Sequence, residues 1–241
     1  MFELMHTPKA NGLLATLSRK NYDELIPQLD PVTLNFGDVL YEPGSRIRNV
    51  YFPADSVISL LTVADTDRAA EVGLIGREGI VGIPIAFGVS TSPLRAVCQG
   101  AGAAMRMEVA AFRRVFAKQP RLQAAVFRFA HSLMSQVAQT AACNRYHRVG
   151  ERLARWLLMT QDRVKRNEFR LTHEFLAKML GVRRVGVSQA ASILQKRKVI
   201  RYTRGNIVIL DRAALIASTC ACYEFVNRIY AEQNGGGKRR G

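Results

Sequence analysis

The apolar positions of this chain change period along its length. Leu13, Leu14, Leu17, Tyr22, Leu25, Ile26 and Leu29 recur at helical spacing and predict a helix over 13–30. From Val32 to about Arg106 short β-rich runs replace it, at 39–41, 50–52, 57–63, 72–75 and 96–99, each followed by Gly, Pro or Asp. Short strands punctuated in this way predict a β-barrel or jelly roll. A helical pattern returns at 109–117 and stops before Pro120. From Arg121 to about Cys143 runs a helix without Gly or Pro, with Leu122, Val126, Phe129, Leu133 and Val137 close to a coiled-coil seam. Phe127, Ala130, Met134, Ala138 and Ala141 widen its apolar surface. Such a helix must be covered on more than one side. Its own barrel can cover one side and a second subunit the other, or one subunit can bury it whole. The paired reading places Val126, Phe129, Leu133 and Val137 at a dimer interface. Residues 149–160 form a further amphipathic helix around Leu153, Trp156 and Leu157.

The most specific pattern lies at 171–194. Leu171, Leu176, Met179 and Leu180 make one apolar helix side, with Thr172 as a candidate cap and Glu174 in the first turn. Gly181 permits a left-handed residue at a sharp turn. A second helix buries Val187, Ala190 and Leu194 and turns Arg184, Ser188, Gln189 and Ser192 outward. This is the layout of a helix-turn-helix, with an arginine at the start of the helix that reaches base edges. Two β-rich runs, 199–202 and 207–210, flank Thr203-Arg204-Gly205-Asn206 and predict a tight hairpin, which makes the unit a winged helix. Arg201 and Arg204 put positive charge on that wing.

Charge sharpens this picture. The net charge is +16, and the surplus sits around the helix-turn-helix: residues 146–241 hold 20 Lys+Arg against 7 Asp+Glu, residues 1–145 only 15 against 12. A surface of this sign releases counterions from a phosphate backbone. It equally fits a non-specific nucleic-acid or acidic-surface binder, the alternative reading. The apolar runs fall short of the roughly 18 residues a membrane span requires. The N-terminus lacks the basic-then-apolar order of a secretion signal, so a cytoplasmic protein without a membrane partner is expected.

Cysteines stand at 98, 143, 220 and 222, too few and too irregular for a disulfide framework. Cys220-Ala221-Cys222 has the spacing of a metal or redox pair, but the sequence offers no obvious further ligands. The expected reading is two thiols on an apolar C-terminal helix, with no metal. No Ser/His/Asp set, HExxH, P-loop or paired-cysteine motif has a persuasive spacing, so an enzyme is not expected. Arg77-Glu78 beside Gly79 reads as a turn salt bridge.

The order of barrel, long helix and winged helix resembles the cyclic-AMP receptor protein/FNR family of transcription regulators. The resemblance covers about residues 20–225. It is carried by Phe36-Gly37-Asp38-Val39-Leu40-Tyr41-Glu42-Pro43-Gly44, Val50-Tyr51-Phe52 and Gly79-Ile80-Val81-Gly82 in the first half. In the second half it rests on Leu171-Thr172, Leu176-Ala177, Leu180-Gly181 and Arg184. It implies an α+β chain made of a cyclic-nucleotide-binding-like jelly roll (1–118), a dimerisation helix (119–145) and a winged helix-turn-helix (146–230); the Gly-rich, basic composition of the C-terminus predicts a disordered basic tail (231–241). The implied function is a sequence-specific homodimeric regulator on a pseudo-palindromic operator, controlled by a signal through the barrel. Its implied partners are double-stranded DNA, a second copy of itself and RNA polymerase.

Carried over by position, Arg184 matches the arginine that contacts a guanine, and Thr172 and His173 match positions near the DNA backbone. Arg183, Ser188, Gln189, Arg201 and Arg204 complete the expected DNA-contacting set. Val185 replaces the usual acidic residue, and Gln189 stands where Arg is frequent, so the resemblance leaves the operator open. The implied effector pocket is Gly82, Ile83, Arg95 and Ala96. Ile83 stands where nucleotide binders place a glutamate that accepts from the ribose, a loss of roughly 1–3 kcal/mol. Cyclic AMP is therefore not an expected ligand, and no cofactor is assigned. No cysteine precedes Cys98, against an N-terminal iron–sulfur cluster, and none of His6, His131, His147 and His173 stands out as a haem ligand.

Overall fold

The computed structural model describes residues 8–65 and 68–234. His6 and the stretch 235–241 of the expected tail lie outside them. The helix expected over 13–30 is divided into α1 (Gly12–Ala15) and α2 (Arg19–Leu25), then a 3-10 turn, Ile26–Gln28. The break is a capping effect: Ser18 is extended and its hydroxyl accepts from the Asn21 amide, which starts a new helix. Asn11 caps α1 and is fully buried; its side-chain amide donates to the Pro53 and Gly79 carbonyls, each at 2.9 Å, and fastens the segment to the barrel.

The barrel is built from β1 (Asp30–Leu34), β2 (Val39–Tyr41), β3 (Asn49–Pro53), β4 (Val57–Asp65), β5 (Arg68–Ile75), β6 (Arg95–Gly100) and β7 (Gly102–Glu108). They form two antiparallel sheets, β1-β7-β3 and β2-β6-β4-β5, in a jelly-roll arrangement. Phe52, Ile58, Leu74, Ile80 and Met107 fill its core and are fully buried. The strands expected at 39–41, 50–52, 57–63, 72–75 and 96–99 all form, and β1 and β7 are additional.

Helix α3 (Val109–Lys118) leads into α4 (Pro120–Tyr146), with Pro120 in the first turn where its missing amide costs nothing. Leu122, Val126, Phe129 and Leu133 of α4 lie on the barrel. The Phe129 ring covers Gly79 so closely that a Cβ there would meet it at 2.1 Å. Gln136 accepts from the Leu74 amide at 2.9 Å and donates to its carbonyl at 3.1 Å, closing an open stretch of the β5 edge.

This packing corrects the expected dimer interface. Val126, Phe129 and Leu133 are buried inside their own chain, and Val137 is half-buried against Gly73. The exposed stripe is a different one: Ala124, Phe127, His131, Met134, Ala138, Ala141 and Arg145, alternating at spacings of three and four. The more apolar seam went to the chain's own barrel.

The rest of the chain forms α5 (Val149–Val164), β8 (Glu168–Arg170), α6 (His173–Leu180), α7 (Arg184–Lys196), β9 (Ile200–Thr203), β10 (Asn206–Ile209), α8 (Arg212–Ala217) and α9 (Cys222–Asn234). The sheet order β8-β10-β9 gives the wing a third strand. Helix α5 is buried on nearly every side, Arg152, Arg155 and Arg163 included, because the barrel, α9 and the winged helix all pack on it. Helix α9 returns to lie on α4 and runs through Asn234, past the boundary expected for the tail at 231. Among the described residues no helix is long and apolar enough to cross a membrane.

Candidate nucleic-acid interface

The helix-turn-helix forms as its sequence requires. Thr172 caps α6 by accepting from the Phe175 amide at 3.1 Å, and Glu174 occupies the first turn. Gly181 ends the helix at φ +60°, a left-handed position that glycine adopts without strain. Helix α7 then begins with Arg183 at its cap and Arg184 as its first residue, both exposed, with no acidic residue in the first turn and no side-chain cap. Two cations at the positive end of a helix dipole oppose its stability by about 0.3–1 kcal/mol each. A folding rationale for them is absent, whereas an anionic ligand supplies one. Gln189 is exposed on the same helix, as are Arg201 and Arg204 on the wing.

His173 opens α6 and is engaged by the neighbouring elements. Its Nδ1 is 2.9 Å from the Ser188 hydroxyl, and its ring stacks on Tyr202 with centroids 4.1 Å apart. Burial, and then the charge of Arg184, hold the imidazole below its ordinary pKa, so it offers no cation to a phosphate at neutral pH. His173 and Ser188 therefore join α6, α7 and the wing to one another. The wing turn also closes against α6: the Leu171 amide donates to the Gly205 carbonyl at 2.7 Å. Arg204 and Gly205 both have positive φ, at 48° and 81°, the backbone of a type I′ hairpin. The structure thus brings Thr172, His173, Ser188 and Arg204 into one neighbourhood, with Arg184 a helical turn before Ser188.

The winged helix is docked on the barrel of its own chain. Phe36 meets Phe175 at 5.1 Å between ring centroids, Arg166 pairs with Asp55 at 3.3 Å, and Arg163 pairs with Glu78 at 2.8 Å. Glu78 thus bonds across the domains and not to Arg77 as the sequence implied. A cleft of about 770 Å³ opens at this contact, bounded by Phe36, Gln99, Val164, Arg166, Phe169 and Phe175.

The same contact holds a buried carboxylate. The Ser59 hydroxyl lies 2.6 Å from Glu71 and 2.8 Å from the Gln99 carbonyl oxygen, and the Gln99 amide reaches Thr160 of α5 at 3.4 Å. Burial pushes the Glu71 carboxyl up to about 7, against the pull of Ser59, Arg155 and Arg163. An acid whose pKa rises on folding binds more protons folded than unfolded. Its penalty grows as pH rises from its ordinary 4.5 through 7. Glu71→Gln keeps the acceptor for Ser59 and removes that penalty. The variant is expected to exceed the wild type's unfolding free energy by less than about 1 kcal/mol at pH 5 and by up to about 3 kcal/mol at pH 8 in urea titrations. Equal differences at both pH values would contradict this.

Of the expected effector residues, Gly82 turns at φ +98° against Val50, and Ile83 opens a 3-10 turn, Ile83–Phe87. Ala96 is buried in β6, and the half-exposed Arg95 is taken by Glu42 at 2.7 Å. Tyr41, buried between these segments, contacts Ser92 and the Gly82 backbone. The two halves of the expected pocket are thus joined by a protein side chain.

One expectation is reversed. Cys220 and Cys222 are not two thiols on one helix without companions. Cys220 lies in the link after α8, Cys222 opens α9, and Cys143 and His147 at the end of α4 meet them, with all ligand atoms within 4.8 Å of one another.

Residues 151–218 match the family model of the Crp-like helix-turn-helix domain. The matched span runs from the first turn of α5, through the Crp-like helix-turn-helix and its wing, to the end of α8. The fold is shared with solved structures at low identity over most of the chain. A putative transcriptional regulator of the Crp/Fnr family from Eubacterium rectale is 14% identical, covering 92% of this chain and 99% of its own at a TM-score of 0.66. FixK2 from Bradyrhizobium japonicum is 12% identical, over 80% of this chain and 98% of its own, at 0.67. A Crp/Fnr-family transcriptional regulator from Thermus thermophilus is 21% identical, over 78% and 97%, at 0.63. The curated proteins contain no match. These likenesses establish the architecture: a jelly-roll-like domain, long helices and a C-terminal Crp-like helix-turn-helix.

Proposed function

We propose that the protein is a sequence-specific DNA-binding transcription regulator of the Crp/Fnr type that acts as a homodimer on a pseudo-palindromic operator. The observation that carries this reading is the exposed Arg183–Arg184 pair at the start of α7, inside the span that matches the Crp-like helix-turn-helix. Arg184 reads a guanine by a bidentate bond, and Gln189 faces the next turn of the groove. Thr172, Arg183, Arg201 and Arg204 meet phosphates. His173 and Ser188 position α6, α7 and the wing relative to one another. Two copies pair along the exposed stripe of α4, which spaces their recognition helices for successive major grooves. RNA polymerase is the expected further partner of a bound dimer.

The barrel supplies the control. It touches the winged helix through Phe36, Glu71 and Glu78, so any ligand that binds the docked and undocked poses unequally shifts the population that fits DNA. The deciding experiment is selection of bound duplexes from a random pool, followed by titration of the selected and a scrambled duplex at several salt concentrations. A regulator prefers the selected duplex by about 10³-fold or more at physiological salt. Equal affinity for both at every salt concentration overturns the reading in favour of a non-specific polyanion binder.

A further inference from the structure

The cysteines and histidine at the end of α4 have no part in the DNA-binding reading, yet their arrangement is specific. Cys143 lies in the last turn of α4, and His147 follows as its C-cap, its amide bonded to the Cys143 carbonyl at 3.1 Å. The link after α8 brings up Cys220, and the first residue of α9 brings up Cys222. The Cys143 and Cys220 sulfurs are 3.6 Å apart, and Cys222 Sγ is 3.5 Å from His147 Nδ1. A tetrahedron with metal–sulfur bonds of about 2.3 Å and metal–nitrogen bonds of about 2.0–2.1 Å has edges of about 3.8 and 3.5 Å. Both distances agree with those edges, and the sulfurs are far beyond the roughly 2.05 Å of a disulfide.

The surroundings agree with a charged centre. All three cysteines are buried and His147 is half-buried, as in a closed structural site. The Gln139 amide donates to Cys222 Sγ at 3.0 Å, a bond that orients and stabilises a thiolate ligand. Arg152 and Arg155 are buried nearby, and both act electrostatically on Cys143. Neither forms an ion pair among the described residues, and the Nε of each has no hydrogen-bond partner. A divalent cation held by three thiolates and a neutral imidazole carries one net negative charge. Such a centre places a compensating negative charge beside two buried guanidinium groups, of which Arg155 also acts on Glu71.

We propose that Cys143, His147, Cys220 and Cys222 bind one zinc ion in a closed tetrahedral Cys₃His site, which locks α9 onto the end of α4 where the long helix passes into the winged helix. The ion displaces three thiol protons to solvent, and no oxidation is involved. Sulfur-rich tetrahedral ligation selects zinc over harder divalent ions. The site stands whether or not the chain binds DNA, because its test reads only metal.

The full chain, purified in a mild reductant without chelator, is expected to contain one zinc per chain by plasma mass spectrometry. The zinc-stripped, cobalt-loaded protein should show the ligand-field and thiolate charge-transfer bands of tetrahedral cobalt. Cys143→Ser and Cys220→Ser should each lose the zinc, and His147→Cys should retain it as a Cys₄ site. If the serine variants do not fold, the zinc content and cobalt spectrum of the wild type decide. Folded, reduced wild type with only trace zinc and no such cobalt bands overturns the proposal. So does a folded Cys143→Ser protein with its full zinc, or iron with acid-labile sulfide in place of zinc.

Discussion

Met134→Glu is expected to leave the chain folded but monomeric. Met134 is 65% exposed at the middle of the α4 stripe, with Phe127 at 44% one heptad before it and Ala138 and Ala141 beyond. A two-fold pairing of parallel helices sets each seam residue against its own copy. The substitution then faces two carboxylates across an apolar seam, where an unpaired charge costs several kcal/mol. At about 1.4 kcal/mol per tenfold, the dimer dissociation constant rises by well over a hundredfold. Loss of the second reading head should remove a further factor of roughly 10²–10⁴ from affinity for a two-half-site duplex. Light scattering coupled to size exclusion, and gel shifts on the selected duplex, measure both effects. Val126→Glu is the informative contrast. Val126 is fully buried within its own chain, so a charge there should lower the melting temperature or prevent folding instead of yielding a folded monomer. A dimeric Met134→Glu protein would move the interface to another surface.

These two substitutions separate what the sequence could and could not resolve in α4. Leu122, Val126, Phe129 and Leu133 are larger and more apolar than Ala124, Phe127, His131, Met134 and Ala138, and periodicity alone favours the former as the seam between subunits. A chain's own core takes the most hydrophobic face first, and interfaces between chains are less apolar than interiors. The coordinates assign the larger face to the chain's own barrel, and the exposed stripe is the face left for the proposed second subunit. The strands tell a similar story. Runs rich in Val, Ile and Tyr were legible, whereas β7, Gly-Ala-Ala-Met-Arg-Met-Glu, has helix-forming composition. It is a strand because β1 and β3 pair on either side of it, a tertiary demand that overrides propensity.

The helix-turn-helix was legible because each signal in it is local: Thr172 caps, Gly181 turns and Val187, Ala190 and Leu194 bury. The cysteine cluster was not, because Cys143 and Cys220 are far apart in sequence and only the return of α9 onto α4 joins them. A signal did exist. Cys143 and His147 stand four apart at a helix end, the spacing of two ligands on one face, beside the close pair Cys220 and Cys222. The contacts of His173 were hidden for a related reason. Its position at the start of α6 is local, but its partners, Ser188 and Tyr202, arrive from the next helix and the wing.

Arg184→Ala is expected to weaken binding to the selected duplex by about 1–3 kcal/mol per half-site, roughly 5- to 150-fold, while affinity for random duplexes changes little. The reason is the division of labour at the interface. Arg183, Arg201 and Arg204 remain to meet phosphates, and their contribution does not depend on sequence. The lost specificity should map to one base pair in each half-site, where the variant tolerates all four. The same substitution removes a cation from the positive end of α7, so the variant should be as stable as the wild type or more stable by about 0.3–1 kcal/mol. A purely structural arginine predicts the opposite pair of results: a lower melting temperature and equal losses on both duplexes. The combination of retained stability with selective loss of sequence preference therefore distinguishes a base-reading side chain from a solvated surface charge. It also explains why the chain keeps two arginines at the end of a helix where electrostatics disfavours them.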